Sequence, residues 1–512
     1  MKIAPLSSAQ SRKVLTGVLL GLFLGAMEAT VVATALPTIV GELHGLAFYS
    51  WPMAVYILTA GVTGPLFGKI SDLYGRKNLY LICLSVFLAG SILSGFSRSM
   101  IQLIVFRALQ GIGAGGVLPL SIIVAGEMFP LEKRAKVQPL FSAMWGIAGL
   151  IGPPLGMLLT EYSWRLVFFV NIPFGLVSGW LIFKNLLEIE DPEKLARKAS
   201  SGSFIDYAGA FYLMLGLLGF EIALPEQGGF HLTMWRLSLL GFALILLVLF
   251  VVHERQSSEP ILPFPLFQYR LFSSAVLCQF FSGFAFFGSL AFFPLYVEAV
   301  MGKGIEGAGI VLTILLFFWV LFSGMASRLI LKIGYRPIVI SGTTLVVSGF
   351  LLLFFMDKIS GTWPLYVGVV ILGSGMGWVT SPLMIAVQTS VPKTNLGSAT
   401  SALTLFRMIG SSVGVSLMGS VMFIQIEEGL KGKAKLFSLF RNPEKLLDPA
   451  LRLQIPASAL QSAGKTMALA LHDVFMIALI GSFFSFFAGF LVPGGKAEKH
   501  VYQEPSVSGN AV

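Results

Sequence analysis

The sequence is short of charge. Only 12% of its 512 residues are Asp, Glu, Lys or Arg, about half the share with which a soluble domain solvates its surface. It has two cysteines, Cys83 and Cys278, too few for a disulfide framework. Both fall inside apolar runs, where packing is the expected role. No phosphate-binding glycine loop, no His/Cys cluster with metal-ligand spacing and no nucleophile triad is legible, so ATP-driven pumping, a metal centre and enzymatic catalysis find no support. Acids are also scarce, 25 against 35 bases for a net charge of +10. That balance would suit nucleic acid if the bases formed a patch; they are scattered through short connectors, and no nucleic-acid partner is expected.

What the sequence has is apolar length. Hydrophobic residues make up 55%, mean hydropathy is +0.84, and blocks of about 20 apolar residues recur from Val14 to Leu491, as hydrocarbon-spanning helices require. Breaking the chain at charged or Pro/Gly-rich connectors predicts an all-α polytopic membrane protein with fourteen spans, at 14–40, 51–69, 78–96, 101–126, 136–159, 165–184, 207–224, 235–252, 272–299, 307–329, 337–356, 364–388, 397–424 and 466–491. The first run is longer than a signal-peptide core and lacks a cleavage site, so it is read as a retained span. An even count puts both termini on one side. Lys69, Arg76, Lys77, Lys133, Arg134, Lys136, Arg328, Lys332 and Arg336 share the connectors of that side, which the positive-inside rule makes cytoplasmic. Segment 425–465 dissents: it carries seven basic residues yet falls on the outer side. Long loops translocate largely regardless of charge, and its pattern suits either short amphipathic helices over the outer mouth or a solvated loop.

A weak repeat runs through the chain at an offset of about 260 residues. GIGAG at 111–115 is echoed by GSGMG at 373–377, each with a proline soon after (Pro119, Pro382), and Pro37 is echoed by Pro294. In spans the offset is eight. Two six-helix bundles, 1–184 and 271–512, separated by an inserted pair of spans within 185–270, yield that offset most simply. Parallel repeats of this kind are a transporter signature, with the substrate site between the halves near the midplane; a channel stays open as an alternative, although no span carries a filter string or a ring of acids.

The connector after the second span reads GKISDLYGRK at 68–77. Gly68 and Gly75 there suit tight turning and close helix approach, and Asp72, Arg76 and Lys77 supply charge for a latch; an ordinary positive-inside loop would look similar. The fourth span carries RALQGIGAGG at 107–116 and the fifth WGIAGLIGPPLG at 145–156. The glycines of the fourth span read as helix packing rather than a dinucleotide site, since no strand precedes them. Together with MEATVVATALPTIVGEL at 27–43, SWRLVFFVNIPFG at 163–175, SSEPILPFPLFQ at 257–268 and FRMIGSSVGVSLMG at 406–419, these strings resemble the major facilitator superfamily, in its branch of 14-helix drug:proton antiporters, over nearly the whole chain. The resemblance implies a cytoplasmic gate motif at Gly68, Asp72, Gly75, Arg76 and Lys77, with Asp72 meeting the start of the thirteenth helix, residues 395–399, when the inner side is closed. It implies an antiporter motif at Gly149, Gly152, Pro153 and Gly156, and a proton-linked role for Arg107. Two departures stand out: Met157 replaces a usual glycine, and Glu28 replaces a usual aspartate.

Ionisable residues at membrane depth are functional candidates by default. Glu28 lies about 22 Å into its span from one side and Arg107 about 9 Å into its span from the other, at 1.5 Å per residue, so in a core of about 30 Å they reach similar depth. An ion pair or shared cavity for proton coupling is one reading; a structural salt bridge is the other. Gln110, one helical turn after Arg107, extends a polar strip. Phe284 and Phe287 in the ninth span and Met376 and Trp378 in the twelfth are candidates to line an apolar substrate cavity, with lipid-facing or core packing as the alternative. Glu221, Glu298, Arg407 (at the start of its helix, snorkelling or capping), His472 and Asp473 (at the mouth of the last span) are weaker coupling candidates.

The expected function is a proton-coupled secondary exporter, an antiporter of lipophilic compounds, cationic ones included, working by alternating access in a bacterial cytoplasmic membrane. Its partners would be a small lipophilic substrate, protons and membrane lipids, with no cofactor beyond the proton gradient and a monomeric state. Export of a specific lipid, siderophore or peptide-like metabolite, or a non-transporting sensor or scaffold, are the alternatives.

Overall fold

In the computed structural model the described residues are 2–3, 7–129, 131–189, 206–224, 233–257, 260–262, 264–356, 362–392, 396–430 and 455–494; side chains at 2–3, 72–73, 131–136, 138–139, 142, 189, 331 and 457 fall outside that set. Fourteen apolar helices follow one another: α1 Ser8–Glu42, α2 Trp51–Tyr74, α3 Arg76–Gly95, α4 Met100–Met128, α5 Leu131–Tyr162, α6 Leu166–Asn185, α7 Tyr207–Ala223, α8 Met234–Gln256, α9 Arg270–Met301, α10 Gly304–Ile333, α11 Tyr335–Phe354, α12 Trp363–Ser390, α13 Leu396–Leu430 and α14 Ala457–Leu491. Every span expected from hydropathy is a helix, and all but the 17-residue α7 are long and apolar enough to cross a membrane. Apart from helix, Lys2–Ile3 pairs antiparallel with Glu188–Ile189.

Differences from the expected spans lie at the ends. α13 runs to Leu430 and α14 begins at Ala457, each 35 residues or about 52 Å. Polar residues stop a hydropathy run but not the i→i−4 ladder, so both helices continue past the apolar stretch. The expectation of an outer segment at 425–465 falls, from 431 to 454, outside the described residues. α9 is not a uniform α-helix, because Gly283–Phe287 and Tyr296–Met301 are wider π turns; such turns are common at functional sites.

Glycines set the packing inside each half, and set it twice. A Cβ on Gly111 would come within 2.5 Å of the Tyr56 carbonyl and one on Gly115 within 2.0 Å of Thr63 Oγ1, both on α2, while one on Gly113 would come within 2.3 Å of Phe87 N on α3. So α4 presses directly against α2 and α3. In the second half, Gly373 and Gly377 meet the Leu315 and Trp319 carbonyls of α10, and Gly375 meets the Gly342 carbonyl of α11. The echo in sequence is thus an echo in packing, with α12 seated on α10 and α11 as α4 is on α2 and α3.

The halves meet along two seams. On one, α5 lies against α10, Gly149 facing Leu316 and Gly309 facing Met157. On the other, α2 lies against α13: Gly61 faces Met408, Ser412 Oγ donates to the Ala54 carbonyl at 2.9 Å, and Gly419 faces Ser50. Tyr49 Oη, just before α2, donates to the Ala291 carbonyl of α9 at 2.7 Å. Both seams are tight from mid-depth to the end of the molecule that carries the α1–α2 connector. α7 and α8 pack on each other, and α7 lies on α2 beside α13, where buried Glu221 accepts from Ser412.

Candidate functional site

Glu28 on α1 and Arg107 on α4 meet. Both are 0% exposed and form an ion pair through Arg107 Nη1 and Glu28 Oε1. Nη1 also donates to Gln110 Oε1 at 2.7 Å, Nε donates to the Pro52 carbonyl of α2 at 3.1 Å, and the Tyr56 ring lies 4.1 Å away, while Nη2 is buried without a hydrogen-bond partner among the described residues. Glu28 Oε2 accepts from Asn171 Nδ2 of α6 at 2.6 Å, and that amide also donates to Ser91 on α3 at 2.9 Å. One carboxylate therefore ties α1 to α4 and α6, and through Arg107 and Asn171 to α2 and α3. A buried charge with its partner and hydrogen bonds in place is tolerated; removing either partner strands the other. Chemically, a proton is the one small ion able to neutralise Glu28 here without displacing a side chain.

At the end carrying the α2–α3 connector, Gly75 has φ 94°, a conformation open to glycine and strained for other residues. It lets α3 start immediately after α2. Arg76, 2% exposed, donates to the Ser71 carbonyl at 2.6 Å and pairs with Glu127 of α4 at 2.7 Å. Glu188 accepts from the Arg76 and Lys77 amides at 2.5 and 3.1 Å, placing an anion where a helix N-terminus favours one. Lys77 stands over the Phe183 ring. Gly68 corrects an expectation: a Cβ there would meet nothing within 4 Å, so no close helix approach depends on it. The side chain of Asp72 and residues 393–395, half of the expected latch, lie outside the described residues.

The α5 motif divides its small residues between two neighbours. Gly152 and Gly156 press on Thr30, Val31 and Thr34 of α1, while Gly149 faces α10. Pro153 leaves its carbonyl 3.5 Å from a Cβ placed on Gly309, and Met157, where the resemblance expects glycine, packs against the same Gly309. The small residue has moved to the partner helix, so the contact stays close.

Beside the contact of Gly146 with Val320, where α5 still lies against α10, a cavity of about 400 Å³ sits in the half of these helices nearer the end carrying Gly75. Its walls come from α5, α9, α10, α12 and α13, with Trp145, Gln279, Trp319, Thr380 and Arg407 among them. None of the residues proposed from sequence as cavity lining is among them, whereas Arg407, a coupling candidate, is. Gln110 is committed to Arg107; Met376 is wholly buried in the core; Trp378 packs on Phe322; Phe284 lies against Gly481 of α14. Phe287 is one layer back, in contact with the Trp319 and Arg407 side chains that do line the cavity. Arg407 neither caps nor snorkels, being eleven residues into α13, about 16 Å from its start. His472 and Asp473, expected at a helix mouth, lie well inside α14, 3.3 Å apart.

Residues 18–415 match the Major Facilitator Superfamily family profile. The chain belongs to the Major Facilitator Superfamily. It is 33% identical to Multidrug transporter protein MdtP of Bacillus subtilis (strain 168), over 92% of this chain and 91% of that one, and 32% identical to Multidrug resistance protein 3 of the same organism, over 92% and 93%. Among solved structures, a bacterial homolog to the human lysosomal transporter Spinster, in an inward-facing conformation, superposes with a TM-score of 0.65 at 15% identity, covering 98% of this chain and all of that one. A D-xylose-proton symporter superposes with a TM-score of 0.57 at 16% identity, over 91% and 97%. The chain is thus a multi-pass membrane transporter, not an enzyme, with the major facilitator fold.

Within that superfamily fold, three features escaped the sequence reading. Asn171 is the second partner of Glu28, delivered by the NIPF stretch of SWRLVFFVNIPFG, whose Trp164 and Arg165 hold Glu42 at 2.7 and 2.5 Å. Gly334, with φ 81°, starts α11 as Gly75 starts α3, and GYRP at 334–337 was its signal. The polar face shared by α10 and α12, where Trp319 Nε1 donates to Thr380 at 3.1 Å and Ser323 bonds Ser381, was the third.

Proposed function

We propose that this chain is a proton-coupled antiporter that exports lipophilic small molecules across a bacterial cytoplasmic membrane. The bundles 1–184 and 271–512 rock about the two seams, and 185–270 is an inserted pair. With both termini cytoplasmic, the end carrying Gly75 faces the cytoplasm, so the cavity is reached from inside and the tight ends of the seams are the outer gate. The printed names of the two Bacillus relatives support drug export. The observation that carries the proton reading is the buried Glu28–Arg107 pair.

Protonating Glu28 removes the charge that Arg107 neutralises, and the cost of a buried unpaired guanidinium drives a rearrangement. Because Arg107 also holds the Pro52 carbonyl next to the α2–α13 seam, a change at Glu28 reaches the outer gate through one side chain. Arg107 keeps its charge throughout. The proton gradient is the energy source, and the chain works as a monomer.

In proteoliposomes with an imposed pH gradient, Glu28→Gln abolishes gradient-driven transport of a lipophilic dye while the protein stays monodisperse and still binds the dye. Gradient-driven transport at the wild-type rate in Glu28→Gln would remove this mechanism.

A further inference from the structure

Arg407 is charged, lies deep between the helices and has no acid beside it. It makes no ion pair and no hydrogen bond through its side chain among the described residues; its guanidinium stands 5.1 Å from the centre of the Phe287 ring. It lines the 400 Å³ cavity, and among the described residues no other charged side chain does. Around it are the indoles of Trp145 and Trp319 and the amide of Gln279. Gln279 is 2% exposed and its Oε1 has no hydrogen-bond partner. A guanidinium offers five N–H donors in a planar fork that matches a carboxylate or sulfonate.

A cation entering this cavity would meet an uncompensated positive charge at low dielectric, whereas an anion would neutralise it and engage its donors. The apolar walls favour a large aromatic or aliphatic body. We propose that the cavity binds amphiphilic organic anions in preference to lipophilic cations, with Arg407 as the residue that sets the sign. This rests on the exporter reading above and names the ligand class of its cavity. The substrate charge is then met on α13 and the proton on α1, so the two do not compete for one side chain.

The test uses two ions of nearly the same shape and opposite charge, tetraphenylborate and tetraphenylphosphonium. Their binding to the purified full-length chain in detergent is measured by equilibrium dialysis, with empty micelles subtracted. The wild type binds the borate at least about tenfold more tightly. Arg407→Gln brings the two ions within about twofold, and Arg407→Lys keeps the preference for the borate. Thermal midpoint and elution volume establish that each variant is folded; if Arg407→Gln does not fold, the wild-type ratio decides alone. Equal or tighter binding of the phosphonium by the wild type, or a preference that survives Arg407→Gln, overturns the proposal and leaves the exporter reading intact. Binding of neither ion overturns the proposal and the exporter reading's use of this cavity together.

Discussion

Arg107 on α4 and Arg407 on α13 are both deep in the bundle, yet one is paired with an acid and the other is not. Arg107 has a carboxylate, an amide oxygen, a main-chain carbonyl and an aromatic face. Arg407 has an aromatic face and a cavity. The first charge is part of how five helices hold together; the second is left for something that arrives. Burial alone therefore does not separate a structural charge from a binding one, whereas the list of partners does.

Truncating each arginine should break the comparison most visibly. Arg107→Met strands Glu28 and is expected to cost about 3–5 kcal/mol, the usual penalty for half of a buried pair. Arg407→Met removes an uncompensated charge and is expected to leave stability unchanged or raise it by about 1 kcal/mol. Thermal midpoints in one detergent read both, and a similar large loss in the two variants would mean that Arg407 has a partner of its own in the folded protein.

A smaller effect sharpens the acid-paired side. Asn171→Ala takes an amide donor from Glu28 and from Ser91, and is expected to cost about 1–3 kcal/mol because the hydrogen bond is to a charged group. In a Glu28→Gln background the same substitution should cost less. A double-mutant cycle on the thermal midpoints measures this, and strict additivity would show that Asn171 acts independently of Glu28.

The smallest effect lies outside both arginine sites, where α7 begins beside the end of α8. Asp206 caps α7, accepting from Gly209 N at 2.6 Å and pairing with His253 of α8 at 2.8 Å. Burial pushes its carboxyl up, but the hydrogen bonds from Gly209, Glu254 and His253 and the charge of His253 outweigh burial, holding it below its ordinary value. A depressed carboxyl contributes stability that is complete above its unfolded value and is lost as pH falls through the folded one. Protection of the Gly209 amide against exchange should therefore decline below the ordinary carboxylate range, by about 1 kcal/mol or less, the scale of a partly exposed pair. Asp206→Asn should remove that acid dependence; an unchanged acid profile in the variant would place its origin elsewhere.

The sequence made some of this legible and hid the rest for identifiable reasons. Fourteen helices were readable because hydrocarbon length leaves a run of fixed size, but the continuation of α13 to Leu430 was not, because a helix needs no apolar residue to extend. Glu28 and Arg107 could be paired by counting depth along two antiparallel spans. Asn171 was missed because a neutral amide among apolar residues raises no alarm until its acid is found. The cavity candidates failed on geometry: Met376 and Trp378 lie on the helix that supplies Thr380 and Ser381, but only the fold tells which face of α12 is turned inward. The glycine pattern of α4 was readable as packing, whereas Gly68, an equally conspicuous glycine, faces open space.

The seam between α2 and α13 is assembled from Gly61, Ser50, Ala54, Ser412 and Gly419, residues with almost no side chain to spare. Contacts this short are unforgiving: a radial gap of about 0.5–1 Å forfeits a quarter to a half of the attraction, and the one long group among these contacts is the Met408 side chain against Gly61. This seam should therefore behave as a latch with two settings rather than as an aperture with many, and single-molecule distance traces across positions 50 and 419 should jump rather than drift.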